Sequence, residues 1–381
     1  MKVFAYRAQF TTPAFLGNAE QSGQWRTPPF KALLRQWWRV AYAAEHGFPQ
    51  DIRAMRQEEG LLFGHAWLEN DCDERGQKLA ARKSLVRIRL DRWDEGKLKS
   101  WPSLDKVPHP EATFLVGSDL YMGYGPITLP KGAKQPALKA NAAIQSSESA
   151  TLSLAVPDEH APLIEQALML MDRYGTLGGR SRNGWGSFSL KPQGDTPALA
   201  GATPLRTLSA ALKFDWPHAI GQDDTGMLAW QTKQHADWAA LMKELAIIKI
   251  GLRTQFKFPQ DRSDGQIHDR HWLSYPVTTH KVGAWDRNNL RLPNSLRFKV
   301  RRATNDPKQV VGVIFHVPCS PPKAFDPQLP AIQATWLAVH RLLDELNEAP
   351  NARQYASIVD PERRKNLRPG LDRVVLTRVA T

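Results

Sequence analysis

Residues 175–187 read Gly-Thr-Leu-Gly-Gly-Arg-Ser-Arg-Asn-Gly-Trp-Gly-Ser, with five glycines in thirteen positions. Without a Cβ, glycine enters positive-φ conformations and lets the backbone approach a ligand closely. The stretch therefore forces a turn. Leu163, Ile164, Ala167, Leu168, Met171 and Tyr174 recur at helical spacing before it, and Phe188–Leu190 reads as a strand after it. A helix-to-strand turn capped by Gly175 would satisfy that pattern. Arg180 and Arg182 add a second reading. Successive N–H groups in a glycine-rich turn form a concavity for an anion, and two guanidinium forks suit phosphate. The spacing is that of neither a P-loop nor a dinucleotide fingerprint, both of which run from strand to helix.

The chain has 381 residues, a size that suits two domains, and 42% of them are hydrophobic. Its formal charge is +13 and its pI about 9.8, which favours a polyanionic partner. The charge is clustered: residues 249–302 hold 12 Lys or Arg against 4 Asp or Glu. Cys72 and Cys319 alone give neither a disulfide framework nor zinc spacing. Lys2 and Arg7 come too early for a signal peptide, and no apolar run reaches a membrane span of roughly 18 residues. A cytoplasmic protein without membrane contact is expected.

In chain order, Phe4, Tyr6, Ala8 and Phe10 alternate, so residues 2–11 read as a strand that Pro13 breaks. Pro28 and Pro29 then open a helix. Its apolar stripe is Phe30, Leu33, Leu34, Trp37, Trp38, Ala41 and Tyr42, and the tryptophans read as core. Lys31, Arg35 and Arg39 repeat every four residues on one side. Like charges at that spacing repel by a few tenths of a kcal/mol. They make either a solvated face or a track for phosphates.

Leu85–Trp93 reads as a strand, Phe114–Leu120 as its neighbour, and Leu152–Val156 as another. Residues 124–149 read as a long loop. The order is then that of a ferredoxin-like fold. This gives a first domain over 1–190, a linker over 191–204 and a second domain over 205–381. In the second, Leu208–Trp216, Ser295–Arg301 and Val311–Val317 read as strands. Trp238–Ile248 and the residues after Pro330 read as helices, and the residues from Pro361 as a basic, frayed end.

Three segments carry a resemblance. Gly178-Gly179-Arg180-Ser181-Arg182-Asn183-Gly184-Trp185-Gly186-Ser187 resembles the glycine-rich loop of the RAMP superfamily of CRISPR-associated RNA-binding proteins. Thr12-Pro13, Gly17 and Arg26-Thr27-Pro28-Pro29-Phe30-Lys31, with Leu34-Arg35 and Trp37-Trp38-Arg39, resemble the N-terminal signature of one RAMP branch. That branch is the first-numbered subunit of the type III-B (Cmr) effector complex. Glu59-Gly60-Leu61-Leu62-Phe63-Gly64 is similar to the element that follows in it.

The resemblance implies an α+β chain of two tandem ferredoxin-like (RRM-like) RAMP domains, the second degenerate. It implies a non-catalytic subunit of a type III CRISPR effector in antiviral defence. That subunit holds the 3′ part of the guide RNA (crRNA) and aids target RNA capture beside other RAMP subunits. The residues that carry over as RNA-binding are Arg26, Lys31, Arg35, Arg39, Gly178, Gly179, Arg180, Ser181 and Arg182. No cofactor is implied. His268 and His271 stand in H-x-x-H, but in a run that reads as an exposed loop, so no metal is expected.

Two other functions fit less well. A guide-processing endoribonuclease of the same superfamily needs a base, for which His46 and His65 are the candidates. His46 reads as a helix cap and His65 as structural. A small-phosphate nucleotide binder would use the glycine loop alone.

Overall fold

The computed structural model describes residues 1–380 apart from 67, 69 and 261. It separates into two compact units. One comprises Met1–Lys99, Ala140–Gly179 and Gly186–Pro204; the other comprises Ser100–Lys139, Arg180–Trp185 and Leu205–Thr381.

The first unit is built on strands β1 (Lys2–Phe10), β2 (Arg87–Leu90), β3 (Ser149–Val156) and β4 (Phe188–Pro192). Helix α1 (Thr27–Glu45) joins β1 to β2, and α2 (Ala161–Tyr174) joins β3 to β4. The sheet order is β2-β3-β1-β4, antiparallel throughout. Alternation decides which face of β1 is covered: Phe4, Tyr6, Ala8 and Phe10 are fully buried. The stripe of α1 follows its sequence pattern, and Trp37 and Trp38 are both 1% exposed. Trp37 packs 5.8 Å from the ring of Tyr174 on α2, and Trp38 packs 5.8 Å from Phe63. Truncating either tryptophan to Ala would cost about 3–5 kcal/mol.

The second unit repeats the connectivity. Its strands are β5 (Ala229–Thr232), β6 (Leu296–Arg302), β7 (Val310–His316) and β8 (Leu376–Arg378). Helix α3 (Trp238–Thr254) joins β5 to β6, and α4 (Leu329–Glu345) joins β7 to β8. The order is β6-β7-β5-β8, again antiparallel. All seven residues of β7 are buried, so this sheet is covered on both faces.

Four local expectations are corrected. Phe114–Leu120 forms no sheet strand beside β2. Only Val116–Gly117 is extended, pairing with Lys106–Val107, and a helix over Ser118–Gly123 follows. The buried Asp119 holds that helix start in place by accepting from Trp101 Nε1 and from the Leu120 N–H. Leu208–Trp216 begins instead as a strand at Leu205–Thr207, and the Thr207 hydroxyl then caps a short helix over Leu208–Ala211. The residues from Pro361 are not frayed: Asp360 caps a helix over Pro361–Leu371, and β8 pairs with β5 beyond it. Finally, residues 191–204 lie along the first unit. Thr196 Oγ1 accepts from the Ala5 N–H at 2.9 Å, and the Ala202 carbonyl accepts from Gln166 Nε2 at 2.6 Å.

The expected cut at 191–204 also placed residues 100–139 with the first domain, whereas they pack within the second unit. Among the described residues no helix is long and apolar enough to cross a membrane.

Candidate nucleic-acid interface

The glycine-rich stretch is a turn with its two ends pinned. At its base the Leu177 N–H donates to the Gly186 carbonyl, the Gly179 N–H to Phe15 and the Gly186 N–H to Pro13, at 2.9, 3.0 and 2.8 Å. Gly186 sits at φ +65°, where a Cβ would fall 1.8 Å from the Leu177 carbonyl oxygen. Gly178, at φ +90°, would place one 2.6 Å from the Phe15 oxygen. The backbone crossing thus requires glycine at both positions. Much of the expected N–H cradle is spent on the fold. The N–H groups of Arg180, Ser181 and Arg182 find no acceptor among the described residues. Arg180 itself takes a left-handed conformation, φ 55°.

The apex, Arg180–Trp185, is fastened inside the second unit. Arg180 Nε donates to the Tyr124 carbonyl and Asn183 Nδ2 to the Met122 carbonyl, both at 2.6 Å. Lys249 Nζ donates to Asn183 Oδ1 at 2.5 Å, and the Phe298 N–H to the Arg182 carbonyl at 3.0 Å. Trp185 is fully buried, 5.4 Å from Trp101 and 5.8 Å from Trp238 ring to ring. Arg180 is exposed, while Ser181 and Arg182 are half-buried.

Beneath the apex lies a cluster of positive charge. Burial, then Arg253 and Arg180, hold Lys249 well below the usual lysine range. Burial, then Arg182, push Arg297 down to about 9. Arg270, 6% exposed, donates to Glu111 at 2.6 Å, and Arg363 lies 3.1 Å from the same oxygen. A cavity of about 20 Å³ lined by Arg182, Asn183, Lys249, Arg253 and Asn294 has room for about one water, not a phosphate. The guanidiniums of Arg182, Arg253 and Arg297 therefore act as a fixed field behind the exposed Arg180. The basic 249–302 segment is divided: Arg270, Arg297 and Lys299 are buried, at 6%, 8% and 1% exposure, whereas Lys257, Arg262, Lys281, Arg287, Arg291 and Arg302 are exposed.

Residues 7–189 match the model of the RAMP superfamily. Among solved structures, Cmr1 from Pyrococcus furiosus in its apo form is similar at 13% identity and a TM-score of 0.40, over 83% of this chain and 88% of that one. No curated relative matches the sequence.

The cation row of α1, within the matched residues, differs from its expected form. Arg35 and Arg39 both bind Glu59, a carboxylate 2% exposed on the helix Arg53–Phe63. Their mutual repulsion is offset inside the protein rather than by a passing phosphate. Lys31 is half-buried, and burial, then Arg35, lower its pKa. Arg26 precedes α1 and is half-buried, with a buried Nε that has no hydrogen-bond partner among the described residues. Sequence reading quoted Glu59 within a motif and missed this role. Its signal was a lone acid on an otherwise apolar helix face.

The remaining histidine candidates are occupied. His46 caps α1, with Nδ1 2.9 Å from the Tyr42 carbonyl and its ring stacked on Tyr42 at 3.8 Å. His65 is buried, 2.6 Å from Asp71. Arg82, then His65, hold the Asp71 carboxyl well below the usual range. His268 binds Asp264 at 2.8 Å and closes a capping box with His271, whose Nε2 reaches the His280 carbonyl. Among the described residues no group of three or more His, Cys, Asp or Glu is placed to hold a metal ion.

Proposed function

We propose that the chain is a non-catalytic RNA-binding subunit of a type III CRISPR RNA-guided effector complex. The observation that carries this reading is the exposed Arg180 on a glycine-pinned turn, backed by the guanidiniums of Arg182, Arg253 and Arg297. A guanidinium with free terminal nitrogens and three N–H groups beside it suits a phosphate oxygen. Contacts of this kind read no base sequence, as a protein serving many guides requires. In this reading Ser181, Gly178 and Gly179 shape the contact, and Arg26, Lys31, Arg35 and Arg39 form a second one whose net charge Glu59 moderates.

The two β-α-β-β-α-β sheets are read as tandem ferredoxin-like domains, of which only the first carries the glycine-rich loop. The subunit holds the 3′ part of the guide RNA, docks on other RAMP subunits and helps to capture target RNA. Target cleavage falls to another subunit.

The test is RNA binding by the purified chain as a function of salt. Each lost phosphate contact removes about 0.7 from the slope of log K against log salt for a single strand. Arg180→Ala and Arg180→Ala/Arg182→Ala variants should bind more weakly and with a flatter slope. Unchanged affinity and slope in a folded double variant would end this reading. RNA crosslinks mapped in a reconstituted complex test the place on the guide.

A further inference from the structure

Tyr124 is a large aromatic side chain left open to solvent, 65% exposed, in a unit whose other big rings are mostly buried. Its backbone is fixed on both sides. The N–H donates to the Leu120 carbonyl at 3.0 Å, at the end of the helix Ser118–Gly123. The carbonyl accepts from Arg180 Nε at 2.6 Å. Two residues earlier, the Met122 carbonyl accepts from Asn183 Nδ2. The segment 122–124 and the apex 180–183 are thus tied together twice. Gly125, at φ +115°, turns the chain sharply after the ring, and its N–H donates to the Ile127 carbonyl. Lone exposed apolar residues are common on protein surfaces and need no explanation. This one stands on a pinned backbone beside the exposed guanidinium of the apex.

We propose that Tyr124 is a stacking platform for one unpaired RNA base, next to the phosphate held at Arg180. The inference rests on the RNA-binding reading above. The guanidinium of Arg180 lies 2.6 Å, through Nε, from the backbone carbonyl of Tyr124, so ring and guanidinium are within reach of a single nucleotide, the base on the one and the phosphate on the other. Every base presents a π-face, so stacking tolerates any sequence. Because the backbone is held before RNA arrives, little ordering is needed on binding. Arg180 thereby serves twice. Its Nε sets the position of the platform, and its terminal nitrogens, without a partner among the described residues, face the strand.

The experiment compares two probes with the full chain. One is a single-stranded RNA of roughly 12 nucleotides, and the other is the same ribose-phosphate backbone without bases. Wild type should bind the base-bearing strand more tightly. Tyr124→Ala should lose roughly 5- to 150-fold on that strand and nothing on the abasic one, with an unchanged salt slope. Tyr124→Phe should keep wild-type affinity, since the hydroxyl has no part in stacking. Full affinity in Tyr124→Ala, or equal loss on both probes, would overturn the platform while leaving RNA binding intact. Failure of wild type to bind either probe would overturn the RNA-binding reading as well.

Discussion

Arg39 grips Glu59 in a two-pronged hydrogen bond, with Nε 2.9 Å from one carboxylate oxygen and Nη2 2.8 Å from the other. Arg35 donates to the second of these oxygens at 2.9 Å. One buried negative charge therefore sits between two cations of α1 and joins that helix to Arg53–Phe63. The carboxylate is nearly inaccessible while the arginines are 29% and 44% exposed, so water reaches only the positive side.

Glu59→Gln keeps the shape and removes the charge. It is expected to cost about 1–3 kcal/mol in denaturant unfolding, because two guanidiniums lose a charged acceptor but can still be hydrated. On the RNA-binding reading the same variant should bind RNA more tightly, and more so at low salt, since the row gains a full unit of net positive charge. Weaker binding by a folded Glu59→Gln variant would show that the carboxylate positions the cations rather than moderating them.

Two glycines of the loop should respond differently to alanine. Gly184, at φ +91°, offers ordinary contacts near 3.7 Å, so Gly184→Ala is expected to cost only backbone strain, roughly 1–2 kcal/mol. In Gly186→Ala the new Cβ meets the Leu177 carbonyl oxygen at 1.8 Å, a clash between backbone segments that no rotamer relieves. That variant should lose several kcal/mol or fail to fold. Thermal unfolding of the two side by side decides the matter, and similar midpoints would count against the crossing described here.

Acid should weaken the second unit through its buried imidazoles. His340, 4% exposed on α4, lies 2.9 Å from His316, which in turn meets Ser295 Oγ at 2.9 Å. Burial pushes His340 down to about 4, against the pull of Asp344 and with that of Arg378. Burial, then His340 and Arg297, hold His316 well below its ordinary value. An unfolded histidine titrates near 6.5, so between about 6.5 and about 4 the unfolded chain binds more protons and stability falls as pH falls. The loss from His340 is on the order of 3 kcal/mol once pH reaches its folded value. Urea unfolding of His340→Gln should show a smaller drop between pH 7 and pH 4.5 than wild type. An equal drop would assign the acid sensitivity elsewhere.

Asn183 is the hinge pin of the apex, donating to Met122 and accepting from Lys249. Asn183→Ala leaves the buried Lys249 Nζ without its acceptor and is expected to destabilise by about 1–3 kcal/mol. On the RNA-binding reading it should weaken RNA binding as well, with the salt slope unchanged because no phosphate contact is removed. A flattened slope would place Asn183 itself on the strand.

Periodicity made the first sheet legible. The alternation of Phe4 to Phe10, the stripe of α1 and the run from Leu163 to Tyr174 each report one covered face, which is what side-chain spacing encodes. Structure departs from pattern where a single polar contact overrides an apolar run, as Asp119 does for Ser118–Gly123 and Thr207 for Leu208–Ala211. Within the candidate site, the composition of the loop indicated a glycine turn open to a ligand, whereas Gly178 and Gly186 make their close approaches to the protein's own Phe15 and Leu177. It did not disclose that most of the N–H groups are used internally, because their acceptors, Phe15 and Pro13, are distant in sequence. Charge counting found the 249–302 cluster but not which of its members are buried, since a sheet covered on both faces hides Arg297 and Lys299 while Lys257, Arg262, Lys281, Arg287, Arg291 and Arg302 stay exposed.

The chain passes from one unit to the other after residues 99, 139, 179, 185 and 204, so neither is a continuous stretch. A ribosome releases the N-terminal end first, and domains generally fold as units while synthesis proceeds. Here Trp101 and Trp185 emerge long before Trp238 and the strands of the second sheet. The nascent polypeptide must carry these indoles unsheltered until Leu205–Thr381 arrives, a window in which a chaperone would have its purchase.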